Sequence, residues 1–92
     1  MRPDKTSAFL RCLRGKTDAE LQAVAAAMTN AAAVYGQPHL HVGRGLRDLG
    51  RGFYESRVTR DLRLVFSVKG DALVFDFAGK HDGVRAYLRN RR

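Results

Sequence analysis

Cysteine, proline and tryptophan are scarce in this chain: its 92 residues carry one cysteine, two prolines and no tryptophan. A lone Cys12 excludes an internal disulfide and a cysteine zinc cluster, and it fits a reducing, cytoplasmic setting. It stands between Leu10 and Leu13, where a small buried side chain is a more ordinary reading than a reactive thiol. Long apolar runs are missing too. No stretch reaches the roughly 18 residues of a membrane-spanning helix, so no membrane partner is expected. The apolar stretch from Ala23 to Val34 lies too far into the chain for a signal peptide and is interrupted by Met28-Thr29-Asn30. Acid is also in short supply. Nine Asp and Glu face seventeen Lys and Arg, a formal charge of +8, and arginine outnumbers lysine. Arginine's planar fork grips phosphate and carboxylate in two-point fashion, so a nucleic acid or an acidic protein is the expected partner. The plainer alternative is a solvated basic surface.

What is present fits one domain, residues 1–92, with a modest core. Thr6 or Ser7 caps a short predicted helix over Ala8–Leu13, ended by Gly15. Thr17-Asp18-Ala19-Glu20 then has capping-box spacing. Behind it Leu21, Val24, Ala25, Met28, Ala32 and Tyr35 share one helical face, closed by Gly36 and Pro38. Residues 39–52 are rich in glycine and arginine and read as a strand start and a loop bordering a site. Three strand signals follow: Phe53–Val58, Leu62–Val68 and Ala72–Ala78. The second puts Leu62, Leu64, Phe66 and Val68 on one face and Arg63, Val65, Ser67 and Lys69 on the other. Lys69-Gly70-Asp71 predicts a tight hairpin. The third puts Leu73, Phe75 and Phe77 on the core side. Gly83–Arg92 is a basic helix or tail. The order gives an α+β fold, with an N-terminal helical hairpin packed on a small antiparallel sheet.

Chemistry concentrates late in the chain. His81 follows the last strand between Lys80 and Asp82, where a side chain projects from a sheet edge; its plainer reading is a polar turn histidine. Arg57 and Arg63 lie on neighbouring strands, where they either grip one phosphate or lie solvated over apolar surface. Asp61 is a turn residue, an orienting group or a catalytic one. His39 and His41 share a side if extended, but no third ligand has convincing spacing, so neither a metal nor another cofactor is expected. Tyr87 either stacks on a base or packs on the sheet.

Gly52-Phe53-Tyr54-Glu55-Ser56-Arg57-Val58, Asp61-Leu62-Arg63-Leu64-Val65-Phe66 and Gly79-Lys80-His81-Asp82 together resemble the RelE/ParE toxin superfamily of bacterial toxin–antitoxin systems. The helical hairpin, Gln37-Pro38-His39 and Leu46-Arg47-Asp48-Leu49-Gly50 match in kind. The resemblance implies a toxin that cleaves messenger RNA in the ribosomal A site. Alternatively, it implies a ParE-like inhibitor of DNA gyrase, or an inactive module that binds RNA or an antitoxin. The His81-Asp82 ending resembles the YafQ-like, RNA-cleaving branch. By position, Arg57, Asp61, Arg63, Lys80, His81 and Tyr87 are the implied catalytic set, and His41, Arg44, Arg47, Arg51 and Arg60 are expected to hold RNA. The implied partners are a cognate antitoxin, which sets the oligomeric state, the ribosome and messenger RNA. Two departures stand out. Met1–Lys5 is too short and polar for the opening strand that relatives carry, and Arg57 stands where the YafQ-like pattern often has histidine.

Overall fold

A computed structural model of the chain describes residues 1–35 and 45–90. The elements run β1 (Arg2–Lys5), α1 (Ser7–Cys12), α2 (Asp18–Val34), β2 (Leu46–Gly50), β3 (Phe53–Arg57), β4 (Arg63–Lys69), β5 (Ala72–Gly79) and α3 (His81–Arg89). The five strands form one sheet in the order β1-β5-β4-β3-β2, with β1 parallel to β5 and the other pairs antiparallel.

The opening strand is therefore present, against the sequence expectation. Its four residues are all exposed, so no apolar alternation marks it. It is held through its backbone, in register from Arg2↔Ala72 to Lys5↔Phe75, with Arg2 N donating to the Asp71 carbonyl at 2.8 Å and Thr6 N to that of Phe75 at 3.1 Å. Pro3 is tolerated because β1 is an edge strand, where one row of N–H groups has no ladder partner.

The helix starts follow their caps. Thr6 Oγ1 accepts from Phe9 N at 3.1 Å. At α2 the box closes both ways: Thr17 Oγ1 accepts from Glu20 N at 3.1 Å, and Glu20 Oε1 accepts from Thr17 N at 2.9 Å. That backbone hydrogen bond, ahead of the one from the threonine hydroxyl, holds Glu20 below the usual carboxylate range. Phe9, Val24, Ala31 and Ala32 then pack on Leu64, Phe66, Leu73, Phe75 and Ala78 as the main core. Leu21 and Ala25, expected on the buried face, are exposed instead. With alanine on nearly every side of α2, the apolar pattern does not fix which stripe faces the sheet.

A second departure shapes the site. Phe66 pairs with Phe75 but Val65 pairs with Phe77, so Asp76 is an extra residue in β5. The bulge reverses the alternation. Phe75 faces α1 and α2, whereas Phe77 faces α3 and not the main core as expected. There its ring stacks on Tyr87 at 4.9 Å and 21°. Phe53 meets the edge of Tyr87 at 6.2 Å and 89°, and Val84 of α3 is buried, so this face of the sheet is covered as well.

Candidate active-site groove

The sheet face under α3 carries the polar residues of interest. In register, Arg47 of β2 stands opposite Glu55 of β3, which stands opposite Val65 of β4; one step along the face, Arg57 stands opposite Arg63, which stands opposite Gly79. Lys80 and His81 follow Gly79 directly. Lys80 is the N-cap of α3 and His81 its first residue, both exposed. Strand pairing alone thus gathers Arg57, Arg63, Lys80 and His81 at one end of the sheet. The β3–β4 connection closes there too, with Val58 N donating to the Leu62 carbonyl at 2.9 Å. Exposed Arg60 and Asp61 lie on it, and Asp61 N donates to Thr59 Oγ1 at 3.3 Å.

Between edge strand β2 and α3 runs an open groove. A cleft of about 460 Å³ at the His81 end is lined by Arg47, Glu55, His81 and Arg85, with Leu49, Val84 and Leu88 among its apolar walls. A second, of about 450 Å³, shares Leu49, Arg85 and Leu88 and continues to Arg51, Phe53 and Arg89. Arg51 sits at the tip of the β2–β3 hairpin with φ 58°, flanked by Gly50 and Gly52. Strand direction therefore separates Arg51 from the histidine end and puts it beside Arg85 and Arg89. His41 and Arg44, the remaining expected RNA contacts, lie outside the described residues.

Two groups on this face escaped the sequence reading. Arg85 lies in the stretch expected to be a basic helix or tail and was given no role; its four-residue spacing from Arg89 is the helical signal that shows both on one side of α3. Glu55 is the other. It is buried at 3% exposure, and its Oε1 accepts from Arg63 Nη1 at 2.6 Å. The signal was its place in Phe53-Glu55-Arg57, alternate residues of one strand that share a face. Arg63, expected to be a free phosphate grip, is thus an ion-pair partner with its side chain 15% exposed, while Arg57 opposite it is exposed. Tyr87 is packed: its ring lies on Phe77 and against Phe53.

The remaining tyrosines lie on the other face. Tyr35 Oη donates to Tyr54 Oη at 3.3 Å, and this bond, then burial, pushes the Tyr35 phenol up. Among the described residues no group of three or more His, Cys, Asp and Glu is placed to hold a metal, and no helix is long and apolar enough to cross a membrane.

No protein-family model matches the chain, and no curated protein matches it by sequence. Solved structures do match. A chain of the RelB–RelE antitoxin–toxin complex from Methanococcus jannaschii superposes with a TM-score of 0.67 at 12% identity, covering 91% of this chain and 96% of that one. The YoeB/ParE toxin from Agrobacterium tumefaciens gives 0.66 at 22% identity, covering 88% and 99%. A chain of the DinJ–YafQ complex from E. coli gives 0.56 at 18% identity, covering 91% and 98%. At these identities the likeness is one of fold, and it spans nearly the whole of each partner.

Proposed function

We propose that this chain, which has the fold of the RelE/ParE toxins, is the toxin of a type II toxin–antitoxin pair and cuts messenger RNA on the ribosome. The observation that carries the reading is that His81, Arg47 and Arg85 line one cleft, beside the end of the sheet where Arg57 and Arg63 face each other across β3 and β4. RNA cleavage of this kind needs no metal ion. The ribose 2′-oxygen attacks the adjacent phosphorus, the bond to the 5′-oxygen breaks, and a 2′,3′-cyclic phosphate and a 5′-hydroxyl result. One group must move a proton near neutral pH, and fixed cations must meet the extra negative charge on phosphorus.

In this scheme His81 transfers a proton to the leaving 5′-oxygen, and the proton released by the 2′-hydroxyl passes to solvent water, from which His81 is reprotonated. Arg57, exposed, and Arg63, fixed, stabilise the phosphorane, and Lys80 adds charge beside them. Asp61 orients a cation at the hairpin tip, next to Arg60. Tyr87 serves through its hydroxyl, since Phe77 covers one side of its ring. Arg47 and Arg60 hold the RNA backbone near the cut and Arg51 holds it further along, with His41 and Arg44 completing the set. A cytoplasmic antitoxin with an acidic or amphipathic segment would cover the same groove. Support for such a partner comes from its charge and from the antitoxin complexes in which two of the similar chains were solved.

The test is induced expression in a bacterium, followed by amino-acid incorporation and by plasmid supercoiling. Arrested incorporation with messenger RNA cut inside open reading frames is the expected result. Lost supercoiling with intact messenger RNA would replace the reading with a gyrase inhibitor. Neither effect from a folded protein would leave a binding module without activity.

A further inference from the structure

Glu55 has no part in the cleavage scheme above, yet its placement is hard to account for by stability. It is a carboxylate with 3% exposure on a face whose neighbours, Val65 and Val84, are buried apolar residues. Taking two ions out of water costs free energy that their attraction only offsets, and well-packed apolar residues stabilise a fold as well or better. The pair is also incomplete by that standard. Among the described residues, Arg63 Nε is buried with no hydrogen-bond partner. The Glu55–Arg63 contact is therefore weak evidence of stabilisation, while it holds the Arg63 guanidinium in one place.

The geometry it fixes borders the groove through Glu55. Arg57 and Arg63 face each other across β3 and β4, and two like charges in that position repel. Glu55, two residues from Arg57 on the same strand face, takes one of the two guanidinium groups at 2.6 Å. The other remains exposed. Glu55 also lines the cleft that His81 enters. We infer that Glu55 is a positioning residue: its carboxylate, itself in the cleft lining, locks the Arg63 guanidinium beside the cleft, so that a phosphate brought in by exposed Arg57 meets one fixed cation. This rests on the RNA-cleaving reading for its consequence, and on the ion pair alone for its mechanism.

The test is a double-substitution cycle on single-turnover cleavage by ribosome complexes: wild type, Glu55→Gln, Arg63→Ala and both together. Glu55→Gln keeps the shape and the accepting oxygen but removes the charge. Arg63→Ala is expected to lower the maximal rate about 10²–10³-fold, the usual loss for one fixed donor to a developing anion. Glu55→Gln should lower it about 10-fold, leave the half-saturating concentration unchanged, and add nothing further on the Arg63→Ala background. A second loss from Glu55→Gln on that background would mean that Glu55 acts directly, as a proton acceptor, and would overturn the inference. So would a wild-type rate for Glu55→Gln.

The mechanism is read separately from nitrogen-15 spectra of the arginine side chains. Slow rotation of the Arg63 guanidinium in the wild type, released in Glu55→Gln and Glu55→Ala, supports positioning even in a protein that cuts no RNA. Equal rotation in all three refutes it, whatever the fate of the cleavage reading.

Discussion

Gly79→Ala should destabilise the protein, although alanine is ordinarily the better residue in a strand. Gly79 ends β5, and a Cβ built there would lie 2.8 Å from Phe77 Cε2 and 2.9 Å from Cζ. Ordinary carbon contacts start near 3.5 Å, so the ring must retreat by roughly 0.6 Å. It has little room to do so. Tyr87 stacks on it at 4.9 Å, and a Cβ on Gly83 would already lie 3.3 Å from the same Cζ. Overpacking of this kind costs about 1–3 kcal/mol, and replacing a strand glycine returns about 0.5–1. The net loss is up to about 2.5 kcal/mol and about 1 kcal/mol at the centre of these ranges, and in a domain of this size each kcal/mol lowers Tm by about 4–8 °C. Urea melts of wild type, Gly79→Ala, Phe77→Leu and the double variant check the cause. If the ring is the obstacle, the double variant is more stable than the sum of the single effects by at least about 0.5 kcal/mol. Wild-type stability for Gly79→Ala, or strict additivity, would refute the reasoning. Because α3 begins two residues later and its Tyr87 stacks on the same ring, a displaced ring should also shift α3, and Gly79→Ala should lose cleavage out of proportion to its stability.

Thr17→Ala removes the cap of α2 and should cost about 0.5–2 kcal/mol in the same melts. Glu20, held below its ordinary range by the Thr17 backbone N–H, stabilises the fold fully above the usual glutamate pKa and loses that contribution as pH falls through its lowered value. The stability gap between wild type and Glu20→Gln should therefore close on acidification, as followed by thermal melts across pH. Arg57, exposed and aimed at phosphate in the proposed scheme, should contribute one counterion. Arg57→Ala should then flatten the log–log salt dependence of binding to single-stranded RNA by about 0.7, whereas an unchanged slope would remove Arg57 from the interface.

How much of this was legible in the sequence depended on whether side chains or backbone held each element. Thr17 and Glu20 announced the start of α2, and Lys69-Gly70-Asp71 announced the β4–β5 hairpin, because those signals are local and chemical. Strand β1 was missed because Arg2–Lys5 is exposed throughout, with no apolar alternation, and pairs with β5 through its backbone. The change of face between Phe75 and Phe77 was missed because a one-residue bulge at Asp76 leaves no mark on composition. The grouping of Arg57, Arg63 and His81 was legible, since strand pairing follows from the hairpins. Arg51 stands in the expected RNA-holding set beside Arg47, but strand direction carries it to the far end of the groove. Glu55 was passed over because an acidic residue in a strand reads as solvated, and only the fold shows it enclosed with Arg63.

The most direct test of the central claim is primer extension on a translated messenger RNA, with purified ribosomes and the protein, wild type beside His81→Ala. The account predicts new cuts within the A-site codon that disappear in the variant, while its melting curve stays that of the wild type. Equal cutting by a folded His81→Ala protein would contradict the proton-transfer role, and no cutting by the wild type would contradict RNA cleavage itself.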